Sequence, residues 1–250
     1  MLIHQTAEKL QSMRLSAMAE LLLNQESQTA AAQLTFEERL GLLVDYEWTH
    51  RQNKKLQRLL KNARLKVDAC LENIDYQHPR KLDQKLMAHL GSMKWLLAKQ
   101  NVLLSGPTGV GKTYIVCALG NQACRHGFSV RYFRMSKLMA TISTGKADGS
   151  LSQFFNKLVK TDLLIIDDWG LSPLTAEQGH DFLDIIDDRL EKGSIIIASQ
   201  LPVEHWHQLL GDPTVADAIL DRLVHNAHKL PLSGETMRKD LNYQRTCGND

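Results

Sequence analysis

The octapeptide GPTGVGKT, Gly106 to Thr113, constrains this 250-residue chain more than any other segment. It matches the pattern GxxxxGK[ST] in full. An apolar, strand-like run, NVLLS (101–105), precedes it, and a helical run, YIVCALGNQACRH, follows it. Strand, glycine-rich loop and helix in that order form the context of a phosphate-binding loop. Glycines let backbone N–H groups wrap a phosphate, and the start of the helix presents its positive end to the same anion. In this reading Gly106, Pro107, Thr108, Gly109, Val110, Gly111, Lys112, Thr113 and Tyr114 surround a nucleotide. Lys112 reaches its β- and γ-phosphates and the Thr113 hydroxyl ligates magnesium. The expected cofactors are ATP and Mg2+.

The texture around the loop agrees with an α/β fold. VRYF (130–133), LLIID (163–167) and SIIIAS (194–199) are further short apolar runs, HKLPL (228–232) is a candidate fifth, and helical stretches separate them. Such alternation implies a parallel sheet covered by helices on both faces. The third run ends in two carboxylates. Asp167 sits where a metal-holding aspartate is needed, and Asp168 where a residue could orient or deprotonate an attacking water. Ser199 and Gln200 end the fourth run; they either sense phosphate and water or simply close a strand. Arg222, on an amphipathic helix, and Arg238, near the end, are either functional cations or surface residues.

Composition excludes other classes. With 43% hydrophobic and 23% charged residues the chain can bury a core, which rules out disorder. No apolar run approaches the roughly 20 residues of a membrane span. The start, MLIHQTAEKL, lacks the pattern of a secretory signal. Cys70, Cys117, Cys124 and Cys247 form no CxxC pair, so they fit a reducing cytosol better than a disulfide or zinc framework. Cys117 and Cys124 are expected to be packing residues.

The net charge of +2 conceals polarity. Residues 1–50 hold three basic and seven acidic residues, whereas residues 51–66 hold seven basic and none acidic. The first ~75 residues read as an all-helical domain, with residues 76–250 forming the α/β domain. Leu10, Met13, Ala17, Met18, Leu21 and Leu22 recur at helical spacing. Thr35 and Glu38 form a capping-box pattern, so another helix starts at about Phe36, with Phe36, Leu40, Leu43, Val44 and Trp48 as its apolar stripe. At roughly 100° per residue, Arg51, Lys54, Lys55, Arg58, Lys61 and Lys66 share an arc of about 140°, opposite Leu56, Leu59, Leu60, Ala63 and Val67. The cationic face is either solvated or covered by an anion, with nucleic-acid phosphate favoured.

GPTGVGKT, LLIIDDWGL, IIIASQLPVEHWH and DRLVHNAHKLPLSGETMR together resemble the IstB-type ATP-binding helper proteins of bacterial insertion sequences, relatives of the DnaC helicase loaders. RLSAMAELL and LTFEERLGLLVDYEWTHRQNKKLQRLLKNARLK resemble the amino-terminal region of the IstB branch. The resemblance implies an AAA+ ATPase in the bacterial cytoplasm that oligomerises on double-stranded DNA when ATP is bound. It also implies ATP sites at subunit interfaces and a partner DDE transposase. Residue by residue, Lys112 and Thr113 are Walker A, Asp167 and Asp168 Walker B, Gln200 sensor 1, Arg222 the arginine finger and Arg238 sensor 2. Two side chains depart from the AAA+ norm by one methylene, since sensor 1 is commonly asparagine and Walker B commonly ends in glutamate. With 18 residues after Leu232, no carboxy-terminal lid domain is expected. A DnaC-like helicase loader would share this ATPase core and differ in its amino-terminal partner surface. A small-molecule kinase would want a substrate lid, and a DNA binder with a vestigial site would ignore ATP.

Overall fold

The computed structural model describes residues 2–27 and 34–237. Arg238, Cys247 and the expected missing lid therefore lie outside the described residues. The chain divides into two compact units, 1–58 and 59–250. Among the described residues no helix is long and apolar enough to cross a membrane.

The amino-terminal stretch expected as one helix is two, α1 (Leu2–Ser12) and α2 (Ser16–Ser27). Arg14 adopts φ 61°, its N–H bonds the Gln11 carbonyl and the Leu15 N–H bonds the Leu10 carbonyl. This is a helix-ending Schellman turn with arginine in the place glycine usually takes. The third helix, α3 (Phe36–Ala63), starts where the capping box places it. The Thr35 N–H donates to Glu38 Oε2 at 2.8 Å and the Glu38 N–H to Thr35 Oγ1 at 3.3 Å. Its buried line differs from the expected stripe. Leu43 and Glu47 are buried, while Phe36, Leu40, Val44 and Trp48 are exposed. The buried Glu47 carboxylate accepts from the Met18 N–H at 3.0 Å and from Arg51 Nε at 2.7 Å. Burial pushes its pKa up, but the Arg51, Met18 and Ala17 hydrogen bonds outweigh that and hold it below the ordinary value.

In the second unit every expected strand forms. They are β1 (Asn101–Ser105), β2 (Val130–Arg134), β3 (Leu163–Trp169), β4 (Ser194–Ser199) and β5 (Ala227–Pro231). All pair in parallel, in the order β2-β3-β4-β1-β5. Every residue of β4, and every residue of β3 but Asp168, is buried, so helices must cover both sheet faces. The helix α6 (Lys112–Arg125) packs on β3 and β4, α7 (Met135–Asp148) on β2 and β3, and α10 (Pro213–Val224) on β1. Between α7 and β3 comes α8 (Leu151–Val159), and α9 (Ala176–Arg189) packs beside α10. Two short helices, α4 (Gln84–Gly91) and α5 (Lys94–Leu97), lead into β1. Trp169, Phe182 and Trp206 stack at the centre of the main core, with ring centroids 4.9 and 5.5 Å apart. Cys117 and Cys124 are buried in α6, as packing residues should be.

Candidate nucleotide-binding site

The carboxy-terminal ends of parallel strands are where an open α/β sheet binds ligands, because loops diverge there around free helix N-termini. The glycine-rich loop leaves β1 at that edge. The Gly106 N–H bonds the Ser199 carbonyl, Leu232 N–H bonds the Ser105 carbonyl, and Met237 N–H bonds the Gly109 carbonyl at 3.0 Å. The neighbouring strand β4 and the segment after β5 thus pin the loop on both sides. Gly111 has φ 91° and caps α6; a Cβ there would lie 2.5 Å from Arg80 Nη1. The left-handed conformation favours glycine here, and a Cβ would also have to displace the end of the Arg80 side chain.

Beside the loop lies a cavity of about 640 Å³ into which Lys112, Thr113, Asp167, Asp168 and Gln200 converge. The Lys112 ammonium folds over its own loop, donating to the Gly106 carbonyl at 2.6 Å and to the Pro107 carbonyl at 2.8 Å. The Thr113 hydroxyl donates to Asp167 Oδ2 at 2.8 Å. A hydroxyl and a buried carboxylate in contact at a helix start offer hard oxygen donors, the kind Mg2+ takes beside phosphate. These residues fit a magnesium–triphosphate.

The two carboxylates are aimed by a bulge. Pairing between β3 and β4 shifts register between Ile166 and Trp169. Asp168 takes φ 60°, and its N–H donates to Asp167 Oδ1 at 2.9 Å. An extra residue at a strand end re-aims side chains in this way. Asp168 Oδ2 lies 3.5 Å from Arg134 Nε, at the tip of β2. Gln200 accepts from the Thr108 hydroxyl at 2.8 Å, tying the end of β4 to the loop. Ser199 donates to the Trp169 carbonyl and so closes the strand end.

Three features escape the motif reading. The wall facing the loop comes from the chain after α3, including Lys66, Asn73, Asp75 and His78. In it Arg80, 2% exposed, donates to the Val110 carbonyl at 3.1 Å and the Asp75 carbonyl at 2.6 Å. Burial lowers the pKa of this guanidinium, and Asp75 and Tyr76 oppose the shift. The third is Tyr132, whose hydroxyl donates to Asp167 Oδ2 at 2.7 Å. Burial, then the hydrogen bond and charge of Asp167, push the phenol pKa upward. An arginine after His-Pro and an aromatic in a strand carry no local signal of such roles.

The remaining expected site residues lie elsewhere. Arg222 occupies the last turn of α10, where its Nη1 donates to the Ala218 carbonyl at 3.0 Å and its Nε pairs with Asp187. Asn101, at the start of β1, donates to the Leu223 carbonyl at 3.3 Å. Arg222 therefore sits at the opposite end of the sheet from its own phosphate loop. On α3, Arg51, Lys54, Lys55, Arg58 and Lys61 are exposed. Arg51 is engaged, with its Nη2 donating to the Arg14 carbonyl at 2.7 Å. Lys66 does not share their helix face, because α3 ends at Ala63 and Arg64 turns the chain with φ 54°. Lys66 lines the nucleotide cavity instead.

The family model of the IstB-like ATP binding proteins matches residues 8–245. The insertion sequence ATP-binding protein y4pL of Sinorhizobium fredii is 46% identical over 244 residues, covering 96% of this chain and 98% of that protein. AMPPCP-bound DnaA from Aquifex aeolicus has a similar fold, with a TM-score of 0.58 at 22% identity over 74% of this chain and 57% of that one. The DnaC helicase loader gives a TM-score of 0.53 at 19% identity, over 66% of this chain and 96% of that one.

Proposed function

The chain belongs to the family of IstB-like ATP binding proteins, and from that premise we propose that it is an ATP-hydrolysing helper of DNA transposition. In this reading it assembles on double-stranded target DNA and recruits or stimulates a partner DDE transposase. The observation that carries the ATPase reading is the convergence of Lys112, Thr113, Asp167 and Asp168 on one cavity at the phosphate loop. A relative of nearly equal length at 46% identity, itself named for an insertion sequence, supports transposition over helicase loading.

The residues divide the work by position. Loop N–H groups and the α6 N-terminus bind the phosphates, and Lys112 leaves the Gly106 and Pro107 carbonyls to reach the β- and γ-oxygens. Thr113 and Asp167 would hold Mg2+, which when bound would neutralise charge on the triphosphate. Asp168 orients the attacking water or takes its proton, and Gln200 faces the γ-phosphate end of the cavity. Arg222, remote from its own loop, completes a neighbour's site. It stabilises charge developing on the γ-phosphate and makes hydrolysis depend on assembly. The exposed cations of α3 lie along DNA phosphates.

The test is to size the protein, with and without duplex DNA, in ADP and in a non-hydrolysable ATP analogue. Assemblies that form on DNA with the analogue and shrink in ADP are expected. Identical sizes in all conditions would refute nucleotide-dependent assembly.

A further inference from the structure

Asp167 is the most constrained carboxylate in the cavity. It is 1% exposed and receives three hydrogen bonds: Thr113 Oγ1 and Tyr132 OH onto Oδ2, and the Asp168 N–H onto Oδ1. Two of these donors belong to the motifs on either side of the metal position. The third, Tyr132, belongs to neither. It reaches in from the edge strand β2, where its register partner is Ile165, two residues before Asp167. Its ring is buried, 8% exposed, and its hydroxyl meets the same oxygen that Thr113 meets.

That placement matters for a carboxylate that must present one face to a cation. A buried aspartate with free rotation about its last bond can turn an oxygen away from the metal. Donors on both oxygens restrict that freedom, and Tyr132 adds to Oδ2 a second donor, held by a buried strand instead of the phosphate loop. Groups that orient metal-holding side chains in this way commonly account for ten- to a hundredfold in metal affinity. We propose that Tyr132 is a positioning residue for magnesium: its hydroxyl holds Asp167 in the orientation that serves the Mg2+ of a bound nucleotide. The inference rests on the nucleotide-site reading above. Tyr132 touches neither nucleotide nor metal; it acts through Asp167.

Tyr132→Phe removes one oxygen and leaves the buried ring, so the fold should persist, and a thermal melt of the full-length variant checks this. The measurement is the affinity for a fluorescent ATP analogue, first in chelator and then across a Mg2+ titration. Wild type should bind more tightly as Mg2+ is added. Tyr132→Phe should match wild type in chelator, because the phosphate loop is intact. The Mg2+ concentration giving half of the tightening should rise about tenfold. An unchanged Mg2+ midpoint would overturn the proposal while leaving the nucleotide site standing. Affinity lost equally with and without Mg2+ would also overturn it, because the hydroxyl would then serve general packing. Wild-type binding that Mg2+ never tightens would overturn this inference alone, whereas no binding by wild type with or without Mg2+ would sink the nucleotide-site reading and this inference with it.

Discussion

Replacing Lys54, Lys55 and Arg58 together with alanine tests the DNA reading of α3 more sharply than removing the whole helix. All three side chains are exposed on one helix, so alanine creates no cavity there. Alanine also has the highest helix propensity, and the change removes like-charge pairs spaced four apart, such as Lys54 with Arg58. The helix should be as stable as before or more so. Arg51 is left in place because Glu47 and the Arg14 carbonyl already hold it. Each phosphate neutralised contributes about −0.9 to the slope of log affinity against log salt, so the triple variant should lose about 2.7 of that slope. Raising salt from about 50 to about 200 mM should then shrink the wild-type advantage by about 40-fold. Fluorescence anisotropy on duplexes of unrelated sequence would measure both quantities, and the loss should be alike for each duplex. Lys66→Ala is the control. Its side chain lies past the end of the helix at the nucleotide cavity, so it should keep the wild-type slope. A triple variant with an unchanged slope, on a helix shown intact by circular dichroism, would refute the DNA assignment.

Other predictions concern the loop, the buried glutamate and the remote arginine. Gly111→Ala forces a Cβ into a left-handed position against Arg80 Nη1. It should cost about 1–2 kcal/mol in backbone strain and about 1–3 kcal/mol more if Arg80 loses a hydrogen bond. A denaturant midpoint and ATP affinity both equal to wild type would contradict this. Because its folded pKa is depressed, Glu47 contributes stability above its ordinary pKa near 4.5 that is lost as pH falls below it. Glu47→Gln should therefore be less stable by about 1–2 kcal/mol at neutral pH, and melts at successively lower pH should bring it together with wild type. Arg222→Ala and Lys112→Ala should each abolish ATP turnover alone. Mixing them should restore part of it, since some interfaces then pair an intact loop with an intact Arg222; no recovery in a demonstrated co-assembly would exclude a finger acting in trans.

What the sequence made legible was whatever is dictated locally. LLII and IIIA can be little else than strands buried on both sides, and both are. The spacing GxxxxGK[ST] after a strand follows from the geometry of a loop around phosphate, and the structure puts Lys112 and Thr113 beside Asp167 accordingly. The capping box at Thr35 likewise needs only its own four residues. What the sequence leaves unmarked are helix ends without a signalling residue and side-chain reach that strand pairing alone sets. Arg14 and Arg64 end helices in left-handed conformations without the glycine that usually marks such ends. The second of these ends takes Lys66 off the basic face and sends the following chain to the cavity wall.

The same distinction explains why the sequence of β2 carries no sign of Tyr132 and Arg134 at the site. VRYF signals a strand by its aromatic and branched residues, and those features say nothing about which side chains reach a neighbour's tip. Parallel pairing with β3 in the observed register settles that. It sets Arg134 opposite Asp167 and Tyr132 opposite Ile165. Side chains two apart on a strand share a face, so Tyr132 and Arg134 both lean toward the bulge that aims the carboxylates. One meets Asp167 and the other Asp168. The two acids are read easily from the motif DD after a strand, but two of the side chains that contact them come from a strand more than 30 residues earlier in the chain. A substitution in β2 can therefore change the chemistry of the site while leaving every recognisable motif intact.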